Sequence, residues 1–174
     1  MVSSTGLVYE GAEGADDERL LYAMYDTGIG RRCEVEGLGH DPTDEVLLIA
    51  CKAPREDGLE DLVSVFRWSP DTRELLDPPI LIPLADVEEA TDQRGFATSG
   101  IVRDPTTGVY VLVSAQDRAL VSVTPAGEVL SGTRLDEDLH RQAEGIAITP
   151  DGTLWIADEG RSRQARLTAY AAGS

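Results

Sequence analysis

One phrase is written three times in this chain, and no other feature restricts its fold as tightly. Residues 35–53 read VEGLGHDPTDEVLLIACKA, residues 98–117 read TSGIVRDPTTGVYVLVSAQD, and residues 142–160 read QAEGIAITPDGTLWIADEG. Aligning Gly37, Gly100 and Gly145 also aligns Asp41-Pro42, Asp104-Pro105 and Thr149-Pro150. In each copy two short apolar runs flank a turn. Proline presets φ for the first corner of such a turn, and a following glycine accepts φ > 0. Each copy therefore predicts a β-hairpin.

The segments between the copies extend the pattern. After the first hairpin comes a charged loop, 52–60, then strand-like runs at 62–68 and 74–84 around a turn at 69–72, with Pro78-Pro79 making the second run irregular. Residues 86–93 suit a single helical turn or a loop. The second hairpin is followed by runs at 119–124 and 129–135, and the third by one run at 165–170. Two further runs, 6–10 and 20–26, precede the first copy and look like the outer half of a blade. The aligned glycines are 63 and 45 residues apart. Four short antiparallel strands repeating at such intervals predict an all-β, partial β-propeller of about three blades. A β-sandwich also uses many short strands, but it needs no internal repeat. The units expected within this single partial propeller domain are 1–30 (outer strands of an incomplete blade), 31–90, 91–136 and 137–174 (a second incomplete blade). Propellers close with about 4 to 8 blades, because closure protects the sheet edges. The reading therefore requires either missing N-terminal blades or a homodimer in which two arcs complete a ring.

Composition narrows the partners. A formal charge of −17 argues against nucleic acid and against anionic membrane surfaces. No apolar run approaches the ~20 residues that span a bilayer, and the first residues have neither a basic nor an apolar signal region. The expectation is a cytoplasmic protein. Cys33 and Cys51 flank the first hairpin roughly opposite each other, so a disulfide is geometrically open to them. For a cytosolic chain the expectation is two buried, reduced thiols.

In a propeller the first strand of each blade lines the central channel. That places Glu36, Ser99 and Glu144 together at the channel mouth, with Lys52 and Arg141 beside them as ligand-binding candidates. Asp158 and Glu159 fall across the third hairpin from Glu144. A set made of Glu36, Glu144, Asp158 and Glu159 offers oxygen ligands to Ca²⁺, or a general base. The competing reading is that each glutamate merely ties down backbone amides between blades. The same face gathers Arg31, Arg32, Lys52, Arg55, Arg94, Arg118, Arg141, Arg161 and Arg163, interleaved with Glu56, Asp57, Asp92, Asp117 and Asp138. Such cations can recognise a carboxylate or phosphate, although a solvated mixed-charge rim is the simpler account. Asp26-Thr27-Gly28 matches an aspartic-protease triplet, but that chemistry needs a second carboxylate and no second triplet exists. Gly28-Ile29-Gly30 is too short for a dinucleotide fingerprint. His40 and His140 match no metal spacing, and no G-x-S-x-G elbow is present.

The phrases CEVEGLGHDP (33–42), SGIVRDPTTGVYVLVS (99–114) and EGIAITPDGTLWIADEG (144–160) together resemble the SdiA-regulated family. That family is related to the domain called "esterase-like activity of phytase" and more distantly to NHL-type propellers. The resemblance runs from about residue 6 to Tyr170. It implies a propeller acting as a binding or scaffold module for an unknown small molecule or protein. The alternative it implies is a Ca²⁺-assisted esterase or phosphoesterase using the channel-mouth carboxylates. Family members commonly carry further N-terminal blades and an anchor or export signal, which implies an extracytoplasmic or membrane-associated location for a truncated member.

Overall fold

The computed structural model describes residues 1–16, 18–160 and 164–172, and its strands fall into four antiparallel sheets. The N-terminal sheet pairs β1 (Leu7–Gly11) with β2 (Tyr22–Asp26). The first blade runs in order through β3 (Cys33–Asp41), β4 (Val46–Pro54), β5 (Leu62–Ser69) and β6 (Glu74–Pro83). A helix, α1 (Leu84–Thr91), leads to the second blade: β7 (Gly100–Arg103), β8 (Tyr110–Ser114), β9 (Ala119–Val123) and β10 (Val129–Arg134). The third blade has β11 (Ala143–Ile148), β12 (Leu154–Asp158) and β13 (Arg166–Tyr170). The chain is thus an all-β partial propeller with sheets of four, four, three and two strands. The region expected to hold one helical turn or a loop is a two-turn helix instead. Its Val87 and Thr91 are buried, and it packs on β10, where Gly132 leaves room for the Ala90 carbonyl. Among the described residues no helix is long and apolar enough to cross a membrane.

The repeated Asp-Pro phrase produces the repeated turn. Asp41 Oδ1 accepts the Thr43 N–H at 2.8 Å, and Asp104 Oδ1 accepts the Thr106 N–H at 2.8 Å. A short carboxylate side chain thereby caps the corner in place of a backbone group. Between these turns the strands alternate, and the residues turned inward form interblade cores. The largest lies between the first two blades and includes Leu48, Val65, Ile82, Phe96 and Leu112. A second joins the N-terminal sheet to the first blade through Val8, Ile29, Val35, Phe66 and Trp68. A third, smaller one holds Val113, Ala143 and Ile156 between the last two blades.

The aligned glycines explain how the inner strands approach one another. A Cβ on Gly37 would lie 2.9 Å from the Ala50 Cβ and 3.4 Å from the Gly100 backbone, and one on Gly100 would lie 3.0 Å from the Glu144 carbonyl oxygen. Gly39 is equally confined, its virtual Cβ falling 2.8 Å from the Ile101 carbonyl oxygen. Gly39→Ala is therefore expected to cost roughly 1–3 kcal/mol by overpacking, read as a lower urea midpoint with an unchanged slope.

Two features depart from expectation or extend it. Cys33 and Cys51 form a disulfide, with Cα atoms 5.7 Å apart, rather than two reduced thiols. The register puts them close: Cys51 stands opposite Val35, two residues along β3 from Cys33. The ends of the arc also present apolar side chains to solvent. Leu21, Tyr22 and Met24 are 83%, 61% and 57% exposed at the N-terminal sheet, and Leu167 is 62% exposed on β13. Each is a sheet face with no further sheet against it among the described residues.

Candidate functional site

Each inner strand carries an irregularity at the same place. The register of β3 passes from Val35, opposite Cys51, to Gly37, opposite Ala50, so Glu36 is the extra residue of a bulge. On β11 it passes from Ala143, opposite Asp158, to Gly145, opposite Ala157, which makes Glu144 the extra residue. In the second blade Gly100 pairs with Val113, and the preceding Ser99 donates its own N–H to the Val113 carbonyl at 2.8 Å. A bulge re-aims the side chain it releases from the ladder. An offset just before each aligned glycine thus aims Glu36, Ser99 and Glu144 at one end of the channel.

These side chains line a single cavity of about 490 Å³, together with Lys52, Arg118, Arg141, Gln116 and Gln142. Lys52 Nζ donates to Glu36 Oε1 at 3.0 Å, and the Gln142 amide donates to Glu144 Oε1 at 2.7 Å. Arg118 pairs with Glu137 at 2.6 Å. Arg141, 58% exposed at its side chain, stands 3.9 Å from Asp138 and is the least engaged cation of the lining. All five predicted ligand-binding residues, Glu36, Ser99, Glu144, Arg141 and Lys52, are therefore neighbours in space.

Ser99 is held rather than poised. Its Oγ lies 2.7 Å from the Ala143 carbonyl and 3.1 Å from that of Val113, and it accepts the Ala115 N–H at 3.0 Å. Its single proton serves a carbonyl of the next blade. Ser99→Ala strands these groups in a buried position and is expected to cost about 1–3 kcal/mol, measured by denaturant unfolding.

The expected Ca²⁺ set does not assemble. Among the described residues no three His, Cys, Asp or Glu side chains form a group that could hold a metal ion. Glu36 and Glu144 face the cavity, but buried Asp158 turns away to His140, its Oδ2 lying 2.8 Å from Nδ1, and its Oδ1 accepts the Gln142 N–H at 3.0 Å. The Glu159 N–H donates to the Gln142 carbonyl at 3.0 Å. Of the predicted cationic rim, Arg32 pairs with Glu56 and Arg55 with Glu34, and Arg94 edges a neighbouring cavity. Arg161 and Arg163 lie outside the described residues. The Asp26-Thr27-Gly28 triplet is a turn: Asp26 Oδ1 accepts the Gly28 N–H, and Thr27 Oγ1 donates to the Gly6 carbonyl.

Sequence reasoning missed Gln116, Gln142 and above all His140. The imidazole is buried, with Nε2 2.5 Å from the Tyr170 hydroxyl and Nδ1 on Asp158. Burial raises the Tyr170 phenol above its ordinary value, and the charges of Asp136 and Asp158 raise it further. The Arg166 guanidinium adds hydrogen bonds to the carbonyls of Asp138 and Leu139. These contacts fix the loop that delivers Arg141 and Gln142 to the cavity. A usable signal existed, since Asp158 ends the strand beside the one His140 precedes.

Comparison with known proteins finds the same architecture. The family model described as SdiA-regulated matches residues 31–163. No curated protein sequence matches the chain. Among solved structures, a protein of unknown function from Bacteroides caccae superposes with a TM-score of 0.53 at 16% identity, covering 98% of this chain and 59% of its own. A second protein of unknown function, from Bacteroides thetaiotaomicron VPI-5482, gives a TM-score of 0.54 at 14% identity, covering 90% of this chain and 38% of its own. The chain thus spans less than two thirds of the length of either, and at such identity the likeness is one of fold.

Proposed function

Because this chain belongs to the SdiA-regulated family and folds as a partial propeller, we propose that it is a binding module whose ligand sits at the channel mouth. The observation that carries this is the convergence of Glu36, Ser99 and Glu144, one residue from each of three blades, on one cavity with Lys52 and Arg141. A volume of about 490 Å³ is within the roughly 300–1,000 Å³ of small-molecule sites. Its walls mix both charges with amide groups, which suits a small polar solute. The hydrolase alternative has less support. The Ser99 proton is committed to a backbone carbonyl, and among the described residues neither His40 nor His140 lines the cavity.

The test is amide chemical-shift mapping of the isotopically labelled protein against acetate, succinate, glycine and ethanolamine. Saturable shifts confined to residues around the cavity, abolished in the double variant Lys52→Met/Arg141→Gln for the acids, support the reading. Shifts elsewhere, or none with any of the four, overturn it.

The open ends of the arc call for cover as well. Exposed Leu21, Met24 and Leu167 are apolar surfaces of the kind propeller blades cover in one another. We assign their cover to further blades, supplied by a second copy or by additional sequence. Light scattering over a range of concentrations separates these sources: a discrete dimer mass identifies the second copy, and a constant monomer mass excludes it.

A further inference from the structure

Beside the channel-mouth cavity lies a second one of about 310 Å³, between the first two blades. The two share Lys52, Ala97 and Gln116 in their walls, so they are adjoining lobes of one groove. Their linings differ in chemistry. The second lobe is floored by Leu62, Val63, Leu84 and Phe96, with exposed Glu60 and Arg94 at its edge. Asp117, also in that wall, is already committed to the Ala97 N–H and the Ser114 hydroxyl, each at 2.7 Å. The first lobe carries three cations, Lys52, Arg118 and Arg141, against two carboxylates, Glu36 and Glu144. Both carboxylates already accept hydrogen bonds from Lys52 and Gln142. Arg118 gives one N–H to Glu137 and Arg141 stands 3.9 Å from Asp138, so each five-donor guanidinium has N–H groups beyond those its acid neighbour takes.

Resting on the channel-mouth reading, we infer that the ligand is an amphipathic carboxylate, with its anionic head at Arg118 and Arg141 and its apolar body in the interblade lobe. A guanidinium pair suits a carboxylate head. Leu62, Leu84 and Phe96 take hydrocarbon out of water, the contribution that grows with each buried methylene. Ala53 is exposed and lines the second lobe but not the first, so it is the position at which that lobe can be filled without touching the core or the channel mouth.

The experiment is titration calorimetry with octanoate, acetate and octylammonium, paired with amide shift mapping. Octanoate is expected to bind at least about tenfold more tightly than acetate and at least about tenfold more tightly than octylammonium. Ala53→Trp should bring octanoate down to the affinity of acetate and leave acetate unchanged, and Arg118→Gln/Arg141→Gln should weaken both acids. Equal affinities for octanoate and acetate at cavity residues overturn the apolar lobe while leaving the channel-mouth site standing. Octylammonium binding as well as octanoate overturns the anionic head. Failure of every probe to move a cavity residue overturns the inference and the site together.

Discussion

Asp41→Ala is expected to lower the stability of this protein by about 3–5 kcal/mol, the range for removing one partner of a buried charged network. Asp41 is only 3% exposed, at the turn of the first hairpin, yet its partners belong to the second blade. Its Oδ2 accepts the Tyr110 hydroxyl at 2.6 Å, and its Oδ1 stands 3.1 Å from Arg103 Nε. Alanine leaves a buried phenol and a largely buried guanidinium facing a void. Asp41→Asn keeps an acceptor for Tyr110 and should cost less. The pH dependence distinguishes the two causes of loss. Burial pushes the Asp41 carboxyl up, but hydrogen bonds from Tyr110 and the Thr43 N–H, with the charge of Arg103, outweigh it and hold the group below its ordinary value of 3.8. A carboxyl depressed by folding contributes stability that is complete above that ordinary value and is lost as pH falls through the folded one. The difference in urea stability between wild type and Asp41→Asn should therefore be constant at neutral pH and shrink below pH 3.8. A difference that stays flat into acid would mean the carboxylate charge is not what joins these blades.

Much of the fold was legible because the same residues recur where the same backbone is needed. Asp41 and Asp104 before proline cap the same turn, and Gly37 and Gly100 permit the same close approach of the next blade's inner strand. The site was legible for the same reason: the residue before each glycine is the one released from the ladder. What escaped notice is a position whose job is repeated while its chemistry is not. Cys51, Ser114 and Asp158 each come directly after the residue paired with an aligned glycine. Cys51 is bonded to Cys33; Ser114 meets Asp117, which also holds the Ala97 N–H; Asp158 holds His140. Each pins the segment that enters the inner strand, and so fixes the cavity wall it carries. A cysteine, a serine and an aspartate share no sequence signal, so the equivalence appears only in three dimensions. It also explains why Asp158, an apparent Ca²⁺ ligand in sequence, points away from Glu144. Helix α1 was hidden differently, since eight residues give too little periodicity to separate a helix from a loop.

Of these three pins only the first is covalent, and its loss has the second large expected effect. Cys33 and Cys51 are 18 residues apart, and closing a loop of that order stabilises a fold by about 3 kcal/mol through the unfolded chain. At roughly 2–4 °C per kcal/mol for a chain of this size, reduction should lower the melting temperature by about 6–12 °C. The measurement is calorimetry of the oxidised protein with and without a reductant, with Cys33→Ala/Cys51→Ala as a reference in which the reductant has no effect. The loss should also be felt at the site, because Cys33 opens β3, the strand that carries Glu36. Just before it, the Arg32 carbonyl accepts the Arg55 and Glu56 N–H groups, so the segment entering that strand is tied to the one leaving β4. Alkylation followed by intact-mass analysis reports which form a given compartment yields: a disulfide persists in oxidising surroundings and is kept open by a reducing cytosol. Should the reduced protein melt at the same temperature as the oxidised one, the cysteine pair would be no more than two packed side chains. The first blade would then hold its cavity wall by noncovalent contacts, those of Arg32, Lys52 and Arg55 among them.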